Sequence, residues 1–211
     1  MNESSMKHAL ENCVNKLSKS KPNGMEAIIR DSVKDALPGA ITEVPLRQIG
    51  AERLEQERRG RVDILSADHA IELKVIRMPR LKATPGNALY DVGQLSWDYW
   101  TLREAKKISS AELIILLYGE LISALSRPSP RPKAVYREFH NRMFVDFTSS
   151  LLDGELKKEQ GMSNRRKQID AIKAMGFDKP CDKVSRPVVV HGAFALVSIE
   201  VDRTGRTRSA G

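Results

Sequence analysis

The chain has 211 residues, 41% hydrophobic, 29% charged and only 5% aromatic, and 35 basic against 27 acidic residues give it a net charge of +8. This is enough for one core-forming domain, and the scarcity of rings argues against a surface that stacks along single-stranded nucleic acid. No apolar run approaches the ~18 residues of a membrane span, residues 1–21 hold no stretch resembling a secretory signal, and Cys13 and Cys181 make neither a disulfide framework nor a zinc cluster, so the composition points to a soluble cytoplasmic protein with reduced thiols and no membrane partner.

The apolar spacing predicts a helix over 5–18, with Met6, Leu10, Cys13, Val14 and Leu17 on one face. After a break at Pro22 it predicts a second over 24–37, striped by Met25, Ile28, Ile29, Val33 and Leu37 and stopped by Pro38 and Gly39. Residues 41–49 read as a strand and 50–60 as a charged connection. Two β-rich runs, 61–65 and 70–76, are joined by the polar link 66–69 and read as a hairpin. A proline-containing loop over 78–86 precedes a long helical pattern over 87–107. The run AELIILLY (111–118) is nearly all apolar, as expected of a strand buried on both faces.

A short helix over 119–126 leads into RPSPRP (127–132), a stiff basic linker that can be neither helix nor central strand. Helices are expected over 133–152 and 163–175. A late strand over 187–201 has Gly192 as a point of interruption, and 203–211 reads as a disordered basic tail. This order gives an α/β sandwich with a mixed sheet rather than a repeating βαβ array.

The charge is divided unevenly. Up to Leu125 there are 18 basic and 17 acidic residues; from Ser126 onward there are 17 and 10. The second part thus carries +7 of the +8, a surplus that suits either a polyanion such as nucleic acid or a solvated basic surface. There is no glycine-rich nucleotide loop and no nucleophilic Ser or Cys motif. His8, His69, His140 and His191 lack metal-ligand spacing.

The segment RVDILSADHAIELKVI (61–76) carries the chemistry. Strand alternation points Ile71, Leu73 and Val75 to one face and Glu72 and Lys74 to the other; in the first strand Val62 and Ile64 share a face opposite Asp63. With an even turn centred between Ala67 and Asp68, Ile64 faces Ile71 and Asp63 faces Glu72. Like charges directly opposite are destabilising in a sheet, and a divalent cation between them removes that penalty. All-oxygen sites suit Mg²⁺ or Mn²⁺. Lys74, on the same face, can hold a water near the metal or stabilise charge on a phosphate. The competing assignment is a surface hairpin in which Lys74 is an ordinary partner of Glu72.

Asp63, eight intervening residues, then Glu72-Leu73-Lys74 resembles the signature of the PD-(D/E)XK nuclease superfamily, Mg²⁺-dependent enzymes that include restriction enzymes, junction resolvases and recombination nucleases. The element order agrees, and Val62 stands where many members have proline. The resemblance covers about 24–118 and implies a restriction endonuclease-like α/β/α sandwich with a central mixed sheet. In this reading residues 1–202 form one domain, with its core at 24–118 and a more helical basic extension over 119–202.

The resemblance further implies a DNA endonuclease. Asp63 and Glu72 would bind Mg²⁺ (Mn²⁺ substituting), with the Leu73 carbonyl as a further ligand, and Lys74 would orient the attacking water. It also implies roles for Glu26, an acid on the preceding helix, and Gln94, a glutamine on the following one. Glu26 has a rival role in a capping box with Asn23. Tyr90 and Asp98, one turn either side of Gln94, read as a polar helix face, and Trp97 and Trp100 as packing residues. Arg77, Arg80 and Lys82 after the hairpin, and Arg127, Arg131, Lys133, Arg165, Arg166 and Lys167 later, are the candidate phosphate contacts, each with a plain solvated charge as its rival assignment. DNA is the expected partner, with RNA the other polymer of that chemistry, and a homodimer is expected by analogy. Two alternatives stand beside this: a structure-selective junction resolvase, and a non-catalytic nucleic-acid-binding or assembly protein.

Overall fold

A computed structural model of the chain describes residues 1–51, 60–78, 92–152, 165–183 and 186–204. Helix α1 (Glu3–Leu17) starts where the Asn2 side chain accepts the Ser5 N–H at 2.8 Å, and it buries Met6, Ala9, Leu10, Cys13 and Leu17. Helix α2 (Pro22–Asp35) begins at the proline itself, whose missing N–H costs nothing at the first helical position. Its stripe Met25, Ile29 and Val33 packs with α1 onto one face of a sheet, against Ile64, Ile71, Leu73, Ile114, Leu116 and Leu196.

The sheet has six strands in the order β1-β2-β3-β4-β6-β5: β1 (Ile41–Pro45), β2 (Arg61–Ser66), β3 (His69–Arg77), β4 (Ser110–Tyr118), β5 (Val188–His191) and β6 (Phe194–Glu200). Only β3 and β4 are parallel; every other pair is antiparallel. The parallel step needs a crossover, and helix α3 (Val92–Glu104) lies between the two strands in sequence. Helices α3, α5 (Pro132–Leu152) and α6 (Arg165–Met175) cover the second face, with Tyr99, Phe139, Met143, Ile172 and Phe177 in its core. The short helix α4 (Glu120–Leu125) follows β4. The architecture is therefore mixed α/β with helices on both faces of a mixed sheet, and no helix among the described residues is long and apolar enough to cross a membrane.

Several expectations need correction. The strand expected over 41–49 ends at Pro45 and continues as a 3-10 turn, Leu46–Ile49. The late strand is a hairpin of β5 and β6, with Gly192 at a left-handed φ of 59° in the turn. Strands β5 and β6 belong to the same sheet as the β2–β3 hairpin, and α1 packs with α2 in one core cluster. Arg203, assigned to the tail, instead donates to the carbonyls of Leu102, Ala105 and Ile108 at the end of α3. Residues 205–211 lie outside the described residues.

Val62 and Ile64 do not share a face. Val62 joins the α3/α5/α6 core and Ile64 the α1/α2 core. The reason lies at the residue between them: β1 pairs with β2 at Thr42–Ile64 and Val44–Val62 but not at the intervening Glu43, which has a φ of 56°. Regular alternation stops at this break in the ladder.

Candidate active site

The hairpin register is the even one. Ile64 pairs with Ile71, Leu65 with Ala70 and Ser66 with His69, leaving Ala67 and Asp68 as the turn, Ala67 at a left-handed φ of 52°. Regular pairing ends at Ile64–Ile71, and Asp63 and Glu72, the next residue on each strand, form no ladder pair. There the side chains take over from the ladder. Asp63 Oδ2 accepts the Leu73 N–H at 2.8 Å, which ties the Asp63 side chain to β3 beyond the last ladder pair, and the Asp63 backbone favours the charged form of Glu72.

Helices from both faces reach this point. On α2, the Arg30 guanidinium lies 3.5 Å from Asp63 Oδ1 and also pairs with Glu43. Glu26, one turn earlier on α2, is half-buried and acts electrostatically on Asp63, Lys74 and Asp98. The capping box does not form: the helix cap is Lys21, without a side-chain cap bond, and Asn23 lies inside the helix. On the other side α3 delivers Asp98, whose Oδ2 stands 3.1 Å from Lys74 Nζ, off the direction of a good hydrogen bond. The same ammonium is 3.5 Å from Glu72 Oε1.

Five carboxylates (Glu26, Glu43, Asp63, Glu72, Asp98) therefore lie around Lys74 and Arg30, with Arg61 at the edge 3.7 Å from Glu43. Burial raises the proton affinity of Asp63, offset in part by the Leu73 N–H and reinforced by the charge of Glu26. Burial likewise pushes Glu72 well above the usual range, with the charges of Asp98 and Asp63 adding to it. Asp98 is raised to about 6, first by burial, despite the opposing ammonium. For Lys74 burial works against the charge, but Asp98, Glu72 and Glu26 outweigh it, so its proton is held more tightly than usual. Lys74 is an ammonium here, suited to orienting and charge stabilisation and unsuited to taking up a proton.

The cluster's own charges leave it more negative than positive, a condition a hard dication relieves. Among the described residues no three His, Cys, Asp or Glu side chains are gathered as one ligand set. The donors fit Mg²⁺ in its usual manner, which uses one or two carboxylates and keeps several waters. Asp63 and Glu72 would hold such an ion, and the Leu73 carbonyl, the further ligand the resemblance implies, belongs to the residue whose N–H bonds Asp63.

The remaining assignments fare unevenly. Gln94 is on α3, exposed, one turn before Asp98. Asp98, read as part of a polar face, is instead buried at the cluster's centre. Its signal was available: an acid flanked by Leu95, Ser96, Tyr99, Thr101 and Leu102, all buried, has no polar face to occupy. Arg30 had no signal beyond its position one turn after Glu26. Arg77 is exposed at the end of β3; Arg80, Lys82 and Tyr90 lie outside the described residues. Arg165, Arg166 and Lys167 are exposed on α6, which packs on α3, and the Lys167 ammonium sits 5.4 Å from the centre of the Trp100 ring.

The histidines, scattered in sequence, include one with a polar network. His69 bridges Ser110 Oγ (2.8 Å) and Glu112 Oε1 (3.0 Å), and Glu112 also accepts from Ser198 at 2.6 Å. Compared with protein-family models, with curated proteins and with solved structures, the chain finds no match in any of the three.

Proposed function

We propose that the chain is a metal-dependent DNA endonuclease of the restriction endonuclease-like type. The observation that carries this reading is the gathering of Asp63, Glu72 and Lys74 just past the last ladder pair of the hairpin, where the Asp63 carboxylate is buried and takes the Leu73 N–H at 2.8 Å and the Lys74 ammonium stands 3.5 Å from the largely buried Glu72 carboxylate. Like charges brought together cost stability, and burial makes the cost larger. An arrangement this unfavourable in the protein alone is expected where it serves a cation and a substrate.

In this reading Asp63 and Glu72 would hold one or two Mg²⁺ ions, whose chemistry there would be activation of a water and neutralisation of charge on the leaving oxygen. Lys74, kept charged by Asp98 and Glu72, orients the water and offsets negative charge building on the phosphate. Asp98 fixes the ammonium from α3, and Arg30 fixes the Asp63 carboxylate from α2. Glu26 adds negative potential and holds water at the edge of the cluster. Arg77 lies at the end of the strand that carries Glu72 and Lys74, where it can meet a neighbouring phosphate.

A second reading, a nucleic-acid-binding protein without turnover, is favoured by one observation: both Asp63 oxygens already have partners, Arg30 and the Leu73 N–H. Incubation of purified protein with plasmid DNA separates the two. The nuclease reading expects nicking or cutting that needs Mg²⁺ or Mn²⁺ and is lost in Asp63→Asn and Lys74→Ala. The binding reading expects none under any metal.

A further inference from the structure

Away from the acidic cluster, a cavity of about 1040 Å³ opens beside the edge strand β5. It is assembled from three distant pieces of chain: the start of α1, the first turns of α5, and the segment leading into β5. Five cations line it, Arg131, Lys133, Arg137, Lys183 and Arg186, against two carboxylates, Glu3 and Asp182. Part of the basic surplus of the second half of the chain is thus concentrated in one concave place.

The cations divide into two kinds. Arg131 donates to the carbonyls of Ala124 and Leu125, and Arg186 to that of Met175 at 2.9 Å. Carbonyls pin these guanidiniums without neutralising them. Lys133, Arg137 and Lys183 are exposed and make no ion pair among the described residues. Fixed guanidiniums with outward-facing free donors suit phosphate oxygens, which accept bidentate and point-charge contacts alike. The volume is at the upper end of that of a small-molecule site, more than one phosphate group fills.

We infer that this cavity is a phosphate-backbone anchor for nucleic acid, separate from the acidic cluster. The choice of nucleic acid over another polyanion rests on the nuclease reading above. Three strand spacings separate β5 from β3, about 14 Å, or about four base pairs along a duplex. Strands β4 and β6 lie between the two places and are covered on both faces, so the anchor is a site of its own: it supplies affinity, and the acidic cluster, which repels phosphate until a cation is present, supplies none.

The test is binding of a fluorescently labelled short DNA duplex by the full chain in EDTA, over a range of salt. Neutralising the three exposed cations (Lys133→Gln, Arg137→Gln, Lys183→Gln) should weaken binding about tenfold or more and reduce the salt slope by about three. Cys181 also lines the cavity and is partly exposed, whereas Cys13 is buried, so a thiol reagent reports on the site directly. Its reaction with Cys181 should slow when duplex is bound. Unchanged affinity and slope in the triple variant would overturn the proposal, as would undiminished labelling. Equal protection by inorganic phosphate or by polyglutamate at matched charge would also overturn it, in favour of a small anion or an acidic protein. Because no metal is present, the result stands apart from the nuclease reading. Undiminished cleavage by Asp63→Asn in the presence of Mg²⁺ would remove the nuclease while leaving the anchor.

Discussion

Lys74 and Asp98 meet across the boundary between strand and helix, Nζ to Oδ2 at 3.1 Å, so that the cation of the hairpin is held by a carboxylate from α3. The lysine's position relative to Asp63 and Glu72 thus depends on how the β3–α3–β4 crossover packs. If Lys74 orients water, Asp98→Asn should lower cleavage by about ten- to a hundredfold, the size seen when supporting partners of a site are removed. Lys74→Ala should lower it further. Rates from single-turnover cleavage, with circular dichroism as the check on folding, decide this. Equal rates in Asp98→Asn and wild type would show that the pair is merely structural.

The same carboxylate sets a pH dependence. In the folded chain Asp98 is raised to about 6 from an ordinary 3.8. Folding is therefore penalised where Asp98 is ionised, fully above about pH 6, and the penalty disappears below about pH 4. At 1.36 kcal/mol per unit it amounts to about 3 kcal/mol at most. Urea unfolding should show stability rising as the pH falls from about 6 to about 4, and the rise should be smaller in Asp98→Asn.

Glu112 works with the opposite sign. Burial alone would raise its pKa, but hydrogen bonds from His69, the chain's amino terminus and Ser198 outweigh this and lower it to about 2. Its contribution is fully present above the ordinary 4.5 and is lost as pH falls through about 2, up to about 3 kcal/mol. Glu112→Gln should destabilise by about 2 to 3 kcal/mol at neutral pH, and the difference from wild type should shrink steadily below pH 4. Denaturant midpoints of the two proteins at several pH values check it.

Gly119 marks where β4 gives way to α4. Its φ is +117°, and a Cβ there would lie 2.7 Å from the carbonyl oxygen of Met78, the residue that follows β3. Gly119→Ala should cost about 1 to 3 kcal/mol by thermal or urea unfolding. Because Met78 follows β3, the strand that carries Lys74, cleavage is expected to fall as well.

Much of this arrangement was legible in the residues. Helical stripes marked α1 and α2, and the alternation of apolar residues across an even turn gave the hairpin register as far as Ile64–Ile71. What escaped depends on long-range contact. Alternation assumes a regular ladder, and the break at Glu43 and Asp63 moves Val62 to the other core. A local capping pattern at Asn23 competed with a role for Glu26 across the fold; the helix is capped at Lys21, with Asn23 inside it, and the charge of Glu26 is felt at Asp63. Asp98 and Arg30 enter the cluster only through helix packing, and the basic cavity joins 131–137 to 181–188 across the fold. No spacing within one element encodes such neighbours.

The measurement that bears most directly on the account is cleavage of supercoiled DNA by purified protein, with and without Mg²⁺, beside Asp63→Asn and Lys74→Ala variants shown to be folded. The account expects nicked or linear product with wild type and Mg²⁺, none in EDTA, and none from either variant. Metal-independent cleavage, or undiminished cleavage by those variants, would contradict it.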